Sequence, residues 1–220
     1  MKEREAIIYL AENRNSIQTE TFRSLSTLPN SNNNSVVNSI IRFADNTLLA
    51  QETSTISIKE DCAVILLPLV GSIEISEDKK CKIVNPSEIA YIFGQKGKQI
   101  TVQNPYENEM INYLEIWIRG NEIKQENVII HSVDLEKNRN KLVEIPSSEL
   151  TQKVFIGKYS GREEGILQIQ NNAFIFVING IFEVNNCLLD SRDGFSLSNI
   201  EAIEFEGLGT ENIILILPSP

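Results

Sequence analysis

Histidine is nearly missing from this chain: His131 is the single one in 220 residues. A metal centre built on imidazole needs several such side chains, and a Ser/His/Asp arrangement needs one beside a nucleophile, so both lose their usual foundation. No Gly-x-Ser-x-Gly elbow is present to suggest nucleophilic hydrolysis. Cysteine is scarce too: Cys62, Cys81 and Cys187 form no C-x-x-C pair and leave an odd count. That argues against a zinc knuckle and a disulfide framework, and points to reduced, packed thiols. Positive charge is also short, with 20 Lys and Arg against 30 Asp and Glu and a net charge of -10. Without a basic cluster, phosphate backbones and anionic lipid surfaces are repelled, so neither nucleic acid nor membrane is expected as a partner. The opening apolar run, Ile7 to Leu10, is far too brief for a signal sequence or a spanning helix, and a cytoplasmic protein is expected.

What the chain does have is a repeat. Ala63-Val-Ile-Leu-Leu-Pro-Leu-Val-Gly-Ser-Ile-Glu-Ile75 returns as Ala173-Phe-Ile-Phe-Val-Ile-Asn-Gly-Ile-Phe-Glu-Val184, each copy a strand, a glycine hinge and a second strand. Short bursts of apolar alternation surround both copies. In the first half they fall at 39–43, 47–50, 55–58, 64–70, 73–75, 81–84, 89–93, 99–102 and 113–118. In the second they fall at 153–159, 166–170, 174–178, 181–184, 195–197, 202–205 and 213–217. Strands at this spacing describe a sandwich or closed barrel, and no sustained helical period appears. Pro29 to Ser35 reads as a loop, with ordered structure resuming at Val36, and Pro146 to Leu150 as a turn or a single helical turn. The stretch from Arg119 to Glu149 is charged and poorly periodic apart from Val128-Ile-Ile130, which could pair at an edge. A boundary is therefore expected near residue 125, giving domains 1–125 and 126–220.

Several ordered pieces resemble one family, the pirin-like bicupins, two cupin barrels in tandem. Ile8-Tyr-Leu10 and Thr21-Phe-Arg-Ser24 resemble its N-terminal arm, and Arg42-Phe-Ala-Asp-Asn46 its first barrel strand. Val70-Gly71 is similar to the glycine closing the first cupin motif, and Pro86-Ser-Glu88 stands where cupins carry Pro-Gly-Asp or a variant. Gly97 and Asn104 flank the second motif, and Glu115-Ile-Trp-Ile118 resembles the family's Gln-Ile-Trp strand. Asn179-Gly180, Val184-Asn185, Arg192-Asp-Gly194 and Ile214-Leu-Ile-Leu-Pro218 match its later signposts. The resemblance implies an all-β fold of two jelly-roll barrels with little helix.

It also implies a metal, usually iron, held in the N-terminal barrel by a His-x-His, a third His and a Glu. Counted from Gly71 and Gly97, those ligands fall on Ser57, Lys59, Ile100 and Val102, so all four are replaced. Isoleucine and valine offer no lone pair, and a lysine brings positive charge where a cation would sit. No metal or other cofactor is expected. The vacated site becomes either a plug or a mostly apolar pocket, in which Lys59 is an anion hook or a reactive amine unless it reaches out to solvent. His131 falls where the family has no ligand, and Glu52, Glu60, Asp61, Glu88 and Glu115 are the carboxylates a hard metal could use instead. Gly94 to Gly97 and Gly157 to Gly165 are glycine-punctuated and basic, but neither leads into a helix that could cradle phosphate, so both read as turns.

The resulting expectation is a non-catalytic, metal-free bicupin that binds a small molecule or a protein. The alternative is a quercetin 2,3-dioxygenase-like oxidoreductase with atypical ligands, and a weaker third reading is metal-free isomerisation, which would need a base no motif places.

Overall fold

Isoleucine, valine and aromatic residues alternate with polar ones along most of the chain, and such side chains fit a pleated, half-buried surface. The structure, a computed structural model, describes residues 5–28, 38–77, 80–119, 128–146, 150 and 152–219. The first strands are β1 (Ala6–Tyr9), β2 (Asn15–Gln18), β3 (Phe22–Ser26), β4 (Ile40–Leu48), β5 (Thr53–Ser57) and β6 (Cys62–Val70). They continue with β7 (Ile73–Glu77), β8 (Lys80–Val84), β9 (Glu88–Gly94), β10 (Gln99–Gln103), β11 (Ile111–Arg119) and β12 (Val128–Ser132). The last are β13 (Lys141–Ile145), β14 (Val154–Tyr159), β15 (Glu164–Asn179), β16 (Phe182–Val184), β17 (Cys187–Leu189), β18 (Gly194–Gly207) and β19 (Asn212–Pro218). Among the described residues, a 3-10 turn at Ala11–Asn13 is the only helical piece.

The chain divides into two compact units, one of Asn15–Asn30 with Ile40–Val133 and one of Met1–Arg14 with Ser31–Ser39 and Asp134–Pro220. The boundary expected near residue 125 lies outside the described residues. The units part between Val133 and Asp134, because β12 remains paired with β9 from Val128↔Ile92 to Ser132↔Glu88. The expected 1–125 domain also needs correction at its start. Strand β1 pairs with β18, from Ala6↔Leu197 to Tyr9↔Gly194, and so belongs with the C-terminal unit. Its end is fastened there by the Ala11 amide, which donates to Asp193 Oδ1 at 2.7 Å.

The unit that begins at Asn15 is a two-sheet barrel. A four-stranded sheet in the order β5-β10-β7-β8 stands with a seven-stranded sheet in the order β12-β9-β6-β11-β4-β3-β2. Ile56, Ile73, Ile75, Ile100 and Val102 of the small sheet share one core with Leu48, Val64, Leu66, Ile92 and Tyr113 of the large one. In the other unit one sheet runs β13-β14-β19-β15-β18-β16-β17, with β1 added at β18. Its core includes Tyr159, Phe182 and Phe205, whose rings meet edge to face at 5.0–6.3 Å.

The repeat has the same build in both units: β6 turns at Gly71 into β7, and β15 turns at Gly180 into β16, with φ of 71° and 84°. Only glycine adopts this left-handed backbone without strain. Elsewhere the strands are longer than the sequence suggests. The runs at 166–170 and 174–178 join in β15, and those at 195–197 and 202–205 join in β18. The polar Asn171 and Asn199 between them have positive φ, and the pairing shifts register at Asn171, so residues that look like turns are bulges within continuous strands. Strands β2, β3 and β13 do not carry the apolar alternation of their neighbours; β2 is exposed throughout and rests on β3 by backbone bonds. The loop at 29–35, the restart at Val36 and residues 147–149 lie outside the described residues.

Candidate functional site

The four positions counted from the glycines do not converge. β5 and β10 pair through Ile100↔Ile56, and the Ile58 amide donates to the Lys98 carbonyl at 2.9 Å. Side chains alternate along a strand, and here the inward places belong to Ile56 and Ile58, 4% and 2% exposed. Ser57 and Lys59 are exposed on the outer side. Ile100 and Val102 do point inward, both at 0%. The expected pocket of Ser57, Lys59, Ile100 and Val102 is thus corrected to an aliphatic wall of Ile56, Ile58, Ile100 and Val102. A shift of one residue exchanges the faces of a strand, and burial favours isoleucine over serine and lysine for the interior. Lys59 is no hook inside the barrel.

A polar cluster occupies the facing sheet. Along β11 the residues Tyr113, Glu115 and Trp117 share one face, and across from them on β4 stand Asn46, Ala44 and Arg42. Glu115 is 5% exposed and is met by three donors. Arg42 Nε and Trp117 Nε1 donate to its Oε1 at 2.9 and 2.7 Å, and Asn46 Nδ2 donates to its Oε2 at 2.7 Å. Arg42 Nη2 in turn donates to the Ser24 hydroxyl at 2.9 Å. A buried carboxylate needs this much pairing, since desolvation without it costs several kcal/mol, of order 5. Burial, and then the charge of Glu115, push the Tyr113 phenol well above its ordinary 10.0, while Ser54 and Asn46 beside it pull the other way. Glu115 was legible as one acidic residue among many. Its partners were not, because they come from strands distant in sequence.

The other candidates lie apart. Glu60 is exposed and meets Arg119 at 3.7 Å, while Asp61 accepts the Lys96 amide at 2.9 Å; both sit in the turn between β5 and β6. Glu88 closes its own turn by accepting the Asn85 amide at 2.8 Å, and Glu52, half-buried, lies just before β5. Among the described residues no group of three or more His, Cys, Asp or Glu is arranged to hold a metal ion. His131 is on the edge strand β12, half-buried, with its ring edge-on to Tyr91 at 5.8 Å. The glycine-rich segments at 94–97 and 157–165 contain turns at 96–97 and 161–162, as their composition implies.

The cysteines are free, and their surroundings separate them. Cys62 is fully buried, and burial with Glu60 and Asp61 nearby pushes its thiol up to about 12. Only the thiolate reacts, so at pH 8 Cys62 is inert in the folded chain. A disulfide-exchange reagent should label exposed Cys81 first, then half-buried Cys187, and Cys62 only after denaturation. Native Cys62 labelling within minutes, read by peptide mass, would contradict its placement.

Among the described residues, no helix is long and apolar enough to cross a membrane. Residues 151–216 match the family model described as the quercetinase C-terminal cupin domain. No curated protein sequence matches the chain. Solved structures do. Bacterial pirin YhhW from Escherichia coli, in complex with nickel(II), superposes with a TM-score of 0.84 at 15% identity, over 98% of this chain and 100% of that one. GK1651 from Geobacillus kaustophilus gives 0.75 at 9% identity over 99% and 96%. Quercetin 2,3-dioxygenase from Acinetobacter baumannii gives 0.73 at 8% identity over 97% and 85%. At these identities the likeness is one of fold.

Proposed function

From a chain with the pirin-like bicupin fold along its length and a quercetinase C-terminal cupin domain at 151–216, we propose a metal-free binding or regulatory protein. The observation that supports this most is the inward face of β5 and β10. Ile56, Ile58, Ile100 and Val102 are 4% exposed or less, and their side chains carry no atom able to bind a cation. These residues do not fit the family's metal. Glu115, the buried carboxylate of the same barrel, already accepts hydrogen bonds from Arg42, Asn46 and Trp117. Binding a metal there would strip those donors of their acceptor. The competing reading, a dioxygenase with atypical ligands, draws on the quercetinase name of the C-terminal match.

Elemental analysis of protein purified without chelator separates the two. The expected result is transition metal below about 0.1 per chain and no oxygen uptake with quercetin. A stoichiometric transition metal that survives dialysis would overturn the metal-free reading, and quercetin-dependent oxygen uptake would establish the dioxygenase.

A further inference from the structure

If the protein is a binding module, its contacts need a surface, and the outer face of the C-terminal barrel has an unusual one. Glu164 pairs directly with Glu206, Glu206 with Glu183, and Glu183 with Leu188, so one row across β15, β18, β16 and β17 carries three glutamates and ends in a leucine. The next row pairs Ile166 with Glu204. Strand neighbours are about 4.8 Å apart, and like charges directly opposite one another destabilise a sheet. Arg162 reaches Glu206 at 3.3 Å, but from a side chain that is 80% exposed, where an ion pair contributes little. Ile166 and Leu188 are 57% and 61% exposed. Glu164, Ile166, Glu183, Glu204 and Glu206 line a groove of 630 Å³.

We propose that this sheet face docks an extended basic segment of a partner protein, with Lys or Arg at alternate positions and apolar residues at its ends. Charge complementarity selects the occupant. The three carboxylates span about 10 Å, and alternate side chains of an extended peptide lie about 7 Å apart, so two cations cover the row. Leu188 receives one apolar end, and Ile166, two residues along β15 from Glu164, flanks the other. A second copy of the chain, with its net charge of -10, is the wrong partner. The proposal rests on the reading of the protein as a binding module, but metal content is measured separately. Metal in the N-terminal barrel would overturn that reading and leave the peptide result standing.

The test uses the full chain and a dye-labelled heptapeptide with leucine at each end and lysine at its third and fifth positions, followed by fluorescence anisotropy at low salt. Binding is expected to weaken about tenfold in the E164Q/E183Q/E206Q variant and about threefold in L188S. An E20Q/E107Q/E109Q control, with the same change of charge in the other unit, should shift affinity by less than about twofold. The row variant should also melt higher than the wild type, because the opposed charges are gone. Four results would each overturn the proposal: no binding by the wild type, equal weakening in both triple variants, a lower melting temperature for the row variant, or affinity indifferent to L188S and matched by spermine. The last would make the ligand a small polyamine.

Discussion

Glu115→Ala is expected to lower the stability of the N-terminal barrel by about 4 kcal/mol, the cost of breaking a buried charged pair from one side. The carboxylate is 5% exposed, and its removal leaves Trp117 Nε1 and Asn46 Nδ2 without their acceptor and the Arg42 charge without its partner. Glu115→Gln, the residue the resembling family has in this strand, should lose only about 1–2 kcal/mol. Its carbonyl can keep the bonds from Arg42 and Trp117. Its amide then faces Asn46, whose Oδ1 has no hydrogen-bond partner in the structure, so a flip of the Asn46 amide supplies an acceptor. Urea unfolding followed by fluorescence suits the measurement, since Trp117 is the single tryptophan and reports from within the network. A loss below about 1 kcal/mol for Glu115→Ala would show that water already satisfies these groups.

Gly180→Ala should be as damaging, at about 4 kcal/mol, for two separable reasons. Its φ of 84° strains any L residue, and an added Cβ would stand 2.4 Å from Asn212 Oδ1, 2.6 Å from the Glu211 carbonyl and 2.9 Å from Asn212 Cα. Asn212 cannot easily yield. Its Oδ1 accepts the Ile181 and Gly209 amides at 3.1 and 2.9 Å, and its Nδ2 donates to the Tyr159 and Gly209 carbonyls at 3.1 and 2.8 Å. Gly97→Ala isolates the backbone contribution, because φ there is 94° and nothing lies within 4 Å of the added carbon. It should lose about 1 kcal/mol. Gly71→Ala falls between, at about 2 kcal/mol, since its Cβ meets only the side chains of Ile111 and Tyr106, at 2.8 and 3.0 Å. Thermal or urea melts of the three variants give the order directly. Equal losses at 97 and 180 would mean that the packing around Asn212 relaxes freely.

The glycine hinges show why the fold was readable in advance. A two-residue period and a residue that tolerates positive φ are local properties, so β6-Gly71-β7 and β15-Gly180-β16 could be seen without any knowledge of their neighbours. Asn171 and Asn199 show the limit of that reading. Asparagine favours turns, yet flanking pairs in β15 and β18 carry the chain straight through both positions, and the tertiary pairing overrides the local preference.

The spacing of apolar residues alone determined an all-β chain with a repeated strand–glycine–strand unit, and the scarcity of histidine is a matter of composition, because both follow from residue type and order. The direction in which β5 faces did not follow, since counting from Gly71 leaves an uncertainty of one residue and one residue exchanges inside for outside. Pairing of Ile56 with Ile100 decided it, placing Ser57 and Lys59 in solvent and an aliphatic wall in the barrel. The same kind of cross-strand register gathered Arg42, Asn46 and Trp117 around Glu115 and set Glu164, Glu206 and Glu183 side by side. Such neighbours are distant in the chain, and only the hydrogen-bonded sheet brings them together.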